Sequence, residues 1–199
     1  MWYFNGQTIK TPKTMVISDI TYPKAIFRNS DTLASLGIKP YSETTPDSRY
    51  YWNGAYTVDT SGAEVVGTYA GTAIDIATLK ASMLSNINSQ VASKMGAIDW
   101  YWARADKGGT AVPANIATYA TTIYSEQATK EGEVNALSTL DAIKLYEAKP
   151  HTEVRKVQNE DGTYGPATTS STRHINMLHH WTANPTDDVD PAFVSLTAD

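Results

Sequence analysis

The chain reads as an α+β protein with an aromatic-rich amino-terminal β-hairpin module, a central α-helical hairpin, and a carboxy-terminal β-hairpin followed by an extended tail. Three observations predict this. Two aromatic triplets near the start each run into Asn-Gly, the dipeptide of type I′ hairpin turns. After Gly71 apolar residues recur at steps of three and four, the period of an amphipathic helix, and from Thr152 the period returns to two. The expected modules are therefore 1–71, 72–150 and 151–199.

In the first module, Trp2-Tyr3-Phe4-Asn5-Gly6-Gln7-Thr8-Ile9 predicts a hairpin, since aromatic and Thr residues favour strands. Tyr50-Tyr51-Trp52-Asn53-Gly54-Ala55-Tyr56-Thr57-Val58 predicts a second of the same kind. Between them, Met15 to Phe27 reads as extended. Asp31 to Leu36 reads as a short helix with Ser30 or Asp31 at its N-cap and Gly37 in the left-handed position at its end. Pro40 and Pro46 mark a loop, and Ala63 to Tyr69 a further strand.

In the second module, Ile76, Leu79, Met83, Ile87 and Val91 form one stripe, widened by Leu84 and Met95. This predicts a helix from Asp75 to Met95 that stops at Gly96, with Thr72 and Asp75 as a cap pair. Its other face carries Ser82, Ser85, Asn86, Ser89 and Ser93, read either as a plain exposed face or as one that meets another chain. Asp99 to Arg104 predicts a separate short helix capped by Asp99 and ended by Gly108-Gly109. Pro113 suits the first turn of a second long helix, with Ile116, Tyr119, Ile123, Val134 and Leu137 inward. Ser138 then caps a third helix carrying Leu140, Ile143, Leu145 and Tyr146.

In the third module, Val154 and Val157 sit on a strand, Asn159 to Gly162 form a turn, and Thr163 to Thr172 return along a strand that Pro166 places at an edge. Trp181 to Asp199 reads as an extended tail with Asp187, Asp188, Asp190 and Asp199, touching a partner surface through Phe193.

Composition narrows the function classes. Of 199 residues, 26 are Thr and 24 Ala, while Leu, Ile, Val and Phe total 36, below the roughly 20% at which a chain struggles to build a core. The 20 aromatic residues offset part of that, each burying a large apolar area. With 16 basic and 21 acidic residues the formal charge is −5, so no basic stripe is spare for nucleic acid. No apolar run is long enough for a membrane span, which needs about 20 residues, and the start lacks a secretion-signal pattern. Zero cysteines exclude disulfides and thiolate chemistry and fit assembly in a reducing cytoplasm.

Catalytic patterns are sparse. His174, His179 and His180 crowd together near Asp187, Asp188 and Asp190, which would be the residues of a metal-dependent hydrolase, but no His-x3-His or His-Glu-x-x-His spacing is present. His151 falls in an expected loop, and Lys130, Glu131 and Glu133 read as solvated helix charge. No nucleophile elbow, phosphate loop or dinucleotide fingerprint occurs, so no cofactor is expected. Trp100, Tyr101, Trp102 and Arg104 are the densest feature. They serve either as core, in which case Trp100→Ala costs about 3 to 5 kcal/mol, or as anchors for a partner, since aromatics and Arg dominate interface hot spots.

The stretch Asp99-Trp100-Tyr101-Trp102-Ala103-Arg104, then Gly109-Thr110-Ala111-Val112-Pro113, then Tyr119 resembles a module of tailed-bacteriophage tail proteins and tail assembly chaperones. That module is a helix, Asp-Trp-aromatic-x-x-Arg, a link with Gly-Thr-x-x-Pro, and a helix with Tyr about six residues on. The chain departs at Ala120, where the family often has Arg. Tyr22-Pro23, Ile26-Phe27 and Leu33-Ala34-Ser35-Leu36-Gly37-Ile38 resemble the amino-terminal segment of phage tail-associated proteins. The resemblance implies a non-enzymatic virion component of fibre, baseplate or adaptor kind, made in the host cytoplasm. Its partners would be other tail proteins and further copies of itself, without nucleic acid or membrane insertion. The alternative it implies is a fibre assembly chaperone absent from the mature particle. The interface residues expected on this reading are Trp102, Arg104, Tyr119 and Phe193, with Asp99, Trp100, Gly109 and Pro113 as the structural motif.

Overall fold

The computed structural model describes residues 1–188 and 190–198; Asp199, the last acid of the expected tail, and Val189 lie outside the described residues. Helices and strands contribute 37% and 34% of the fold, an α+β protein. Contacts divide the chain into two compact units, Met1–Ile74 and Asp75–Asp199. Residues 72–74 belong to the first unit, and the rest of 72–150 shares the second with 151–199, from which the sequence reading separated it.

In the first unit, β1 (Trp2–Phe4) and β2 (Gln7–Ile9) form the expected hairpin. Asn5 and Gly6 hold φ of 51° and 79° at its turn. The segment expected to be merely extended is a second hairpin, β3 (Thr14–Ile17) and β4 (Ile20–Pro23), turning on Ser18 and Asp19 at φ 49° and 62°. Asp, unlike most residues, tolerates this left-handed conformation because its short side chain bonds locally. A 3-10 turn, Lys24–Arg28, leads to α1 (Ser30–Ser35). The cap is Asn29, whose Oδ1 accepts from the Thr32 N–H, rather than Ser30 or Asp31.

Pro40 lies not in a loop but in β5 (Lys39–Thr44), paired with Trp2. The remaining strands are β6 (Tyr51–Asp59) and β7 (Val65–Ala73), giving the sheet order β2-β1-β5-β7-β6 with only β5 and β7 parallel. The second Asn-Gly does not turn the chain. Asn53 pairs with Gly71 and Tyr56 with Tyr69, so β6 carries one extra residue and bulges there while continuing as a strand. A nine-residue partner strand on one side holds it straight, and local turn preference yields to that ladder. Gly67 is a packing requirement: a Cβ on it would collide with the Tyr41 and Tyr56 hydroxyls, which bond to each other beneath it.

The second unit is built on α2 (Ile76–Asp106) and α3 (Ala114–Ala136). Asp75 caps α2, accepting from the Thr78 N–H at 3.1 Å, whereas Thr72 belongs to β7. At 31 residues α2 is about 46 Å long. It passes through Gly96 and absorbs the segment expected to be a separate helix, so Asp99 is mid-helix and caps nothing. The cause is tertiary: Ile87, Val91 and Ile98 stay buried on one stripe across Gly96, and Val91 and Ile98 share a core with Ile116, Tyr119 and Ile123 of α3. That burial outweighs the roughly 1 kcal/mol helix cost of one glycine. Gly108, at φ 79°, ends α2 as expected.

Pro113 is the N-cap of α3 rather than its first helical residue. The carbonyls at the far end of α3 are satisfied by Lys80 of α2, whose Nζ donates to Asn135 O and Leu137 O at 2.6 and 3.0 Å. Helix α4 (Leu140–Glu147) starts from Thr139, one residue after the expected Ser138. Its Ile143 and Tyr146 are buried and its Leu145 is exposed.

Three strands complete the unit: β8 (Lys149–Gln158), β9 (Tyr164–Ile175) and β10 (Phe193–Ala198), in the order β10-β8-β9. Thus β9 does lie at an edge. His151 belongs to β8 and is buried, not in a loop. The end of the tail is extended, but it does not run free: as β10 it pairs with β8. Ala192 is buried there, while Phe193, the expected contact residue, is 46% exposed.

Candidate functional site

The carboxy-terminal half of α2 carries the aromatic motif. On one flank, Trp100 stacks on Tyr101 with ring centroids 3.8 Å apart, and the Arg104 guanidinium lies 5.0 Å from the Trp100 ring and 5.5 Å from the Tyr101 ring. Trp100 is 50% exposed. It is therefore not the core residue that one sequence reading made it. Such a cation-on-aromatic stack holds a wide planar surface in place toward solvent. Gly109 closes behind it, donating its N–H to Arg104 O at 3.0 Å, and a Cβ at Gly109 would press on that residue.

The other flank faces α3. Trp102 and Met95 are partly buried against the core shared by Ile98, Ile116 and Ile123. Tyr119 is 4% exposed, so it is a core residue of the helix pair and not an accessible interface residue. Beside them Met95, Gly96, Asp99 and Trp102 of α2 face Ala120 and Tyr124 of α3 across a solvent-open cavity of about 460 Å3. Residues 95, 99 and 102 lie one above another at helical steps of four and three, as do 120 and 124. The small residues Gly96 and Ala120 leave the space. Asp99 is exposed and makes no hydrogen bond or ion pair among the described residues.

A second cluster joins α3 to the chain after β9. Lys130 is 5% exposed; its Nζ donates to Met177 O and sits 4.9 Å from the Trp181 ring centroid. The Trp181 indole N–H donates to Gln90 Oε1 at 2.8 Å and Leu178 O at 2.9 Å. Glu126 accepts from the backbone N–H and hydroxyl of Thr182, and Glu133 accepts from the Tyr146 hydroxyl at 2.9 Å. Burial pulls the Lys130 ammonium below its ordinary value, against the pull of Glu126 and Glu133. Burial and the Glu133 bond push the Tyr146 phenol well up. Of the charges read from sequence as solvated, Lys130 is structural and together with Glu126 clamps Met177 and Thr182 onto α3, Glu133 ties α4 through Tyr146, and Glu131 accepts from Gln127 of its own helix. The spacing Glu126, Lys130, Glu133, all on one helical face, was the available signal. Nothing near Trp181 marked it in advance.

The histidines do not converge. The His151 ring lies 6.0 Å from His180, His174 pairs with Pro150 across β8 and β9, and no group of three His, Asp or Glu among the described residues is placed to hold a metal ion. Partial desolvation, then the charges of Lys130 and His151, hold the His180 imidazole below its ordinary 6.5. The unfolded chain therefore binds that proton more readily. Stability of the second unit falls as pH drops below about 6.5, and His180→Gln loses that part of the slope. Melts at pH 7.5 and 5.0 check this; equal slopes in both chains would refute it.

Fold and clusters together define the class: a two-unit α+β protein whose larger unit presents aromatic, arginine and carboxylate side chains from one long helix. No family model matches the chain, and no curated protein or solved structure is similar to it.

Proposed function

We propose that this chain is a non-enzymatic structural component of a bacteriophage tail, of fibre, baseplate or adaptor kind, acting through protein–protein contacts. The observation that carries the reading is the Trp100–Tyr101–Arg104 stack, half-exposed on a helix whose opposite flank already fills the core. A large aromatic held rigid toward solvent by a guanidinium suits an interface anchor better than a monomer's surface. It lies within the segment that resembles phage tail modules.

The edge strand β9 adds a second means of contact. Its twelve residues are exposed almost throughout, and Thr168 to Thr172 are all Thr or Ser, so over that stretch a neighbouring strand would meet hydroxyls before reaching Arg173. The partners on this reading are other tail proteins and further copies of the chain.

Mass spectrometry and cryo-electron microscopy of purified particles test the proposal. A structural component is found in the mature virion in symmetric copies on the tail. Absence from particles, combined with failed fibre assembly when the gene is deleted, would instead identify an assembly chaperone.

A further inference from the structure

We propose that the notch between α2 and α3, walled by Met95, Asp99, Trp102 and Tyr124, receives an arginine side chain from a partner protein. This rests on the reading of the chain as a contact-making protein for the partner being a protein. The recognition of arginine is argued from the notch alone.

The notch has room, at about 460 Å3, beside the core that the two helices share at Ile98 and Ile123, and the small residues Gly96 and Ala120 line it. A Cβ on Gly96 would meet nothing within 4 Å. Its one charged group is Asp99, a carboxylate with no hydrogen bond or ion pair among the described residues. Of the two basic residues equally near along α2, Arg104 is committed to the rings of Trp100 and Tyr101. Lys94 lies over Trp181. Neither forms a salt bridge with Asp99.

A free carboxylate between aromatic walls selects for a planar cation. Guanidinium meets both features at once, with two parallel N–H bonds to the carboxylate and a flat face for Trp102 or Tyr124. An ammonium is a compact, strongly hydrated charge that satisfies only the first. Tyr124 is 53% exposed, so its ring is open to a visiting side chain. An exposed carboxylate alone binds cations weakly, so the aromatic walls are what make the notch selective.

The test uses the full chain and N-acetyl-arginine-N-methylamide as probe, with the lysine and citrulline analogues as controls, read by the NMR shift of the Trp102 indole. The expected result is saturable binding with a dissociation constant on the order of millimolar, at least tenfold weaker for either control. Asp99→Asn abolishes it and Asp99→Glu retains it. Ala120→Arg, which brings a guanidinium into the notch from within the chain, also abolishes it. Asp99 is an exposed mid-helix residue, so its substitution leaves the helical circular dichroism unchanged and the Asn and Glu variants carry the test if the Arg variant does not fold. Equal shifts with arginine and citrulline probes, or binding by Asp99→Asn like that of the unaltered chain, would overturn the proposal. Neither result depends on whether particles contain the protein, which the virion experiment decides separately.

Discussion

Replacing Trp181 by Ala lowers the stability of the second unit by about 3 kcal/mol or more, whereas replacing Trp100 costs less than about 1 kcal/mol. Both are tryptophans in the same unit, and the sequence favours the opposite order, because Trp100 sits in a dense aromatic motif and Trp181 opens an acidic tail. Packing reverses it. Trp181 lies against the core of Val91, Ile98 and Ile116, bonds to Gln90 and Leu178 O, and carries Lys94 and Lys130 over its ring. Its removal opens a cavity, unmakes two hydrogen bonds and strips the cover from a desolvated ammonium. Trp100 is half in water and loses only its stack with Tyr101 and Arg104. Urea denaturation followed by circular dichroism measures both variants. A Trp100→Ala cost equal to that of Trp181→Ala would show that the stack is core after all.

Ile123→Ala destabilises the same unit by a comparable amount, about 3 to 4 kcal/mol. Ile123 is fully buried in the seam between α2 and α3, with Ile98 and Ile116 around it. A chain with so few aliphatic residues has little freedom to collapse around the lost carbons, because its neighbours are Ala120 and the rigid rings of Tyr119 and Trp102. Leu145→Ala on α4 is the control: its side chain is 58% exposed, and its loss stays within about 0.5 kcal/mol. A small effect at Ile123 would mean that the two long helices are held together elsewhere.

The two variants locate where stability resides in a Thr- and Ala-rich chain. A thin stripe of Ile and Val joins α2 to α3, and polar clamps do the rest: Lys80 on the end of α3, Lys130 on Met177 O, and Glu126 on Thr182. Buried or capped charges of this kind specify which segments meet, although each must offset its own desolvation. The same arrangement leaves Trp100 half in water and Asp99 without a partner among the described residues, which is why the proposed contacts with other proteins use them.

The sequence by itself determined the α+β class, the hairpin at Asn5-Gly6, the stripes of α2 and α3, the stop at Gly108, and the edge position of β9. Each of these rests on local chemistry: a left-handed turn, a 3.6-residue period, a proline in a strand. The aromatic motif too was legible as a candidate contact. Only the tertiary structure decided that α2 runs on through Gly96, that Asn53-Gly54 bulges instead of turning, that Tyr119 is core while Trp100 is exposed, and that Lys130 and Trp181 form a clamp. In every such case a residue's local preference was worth about 1 kcal/mol or less, and burial against a partner distant in sequence was worth more.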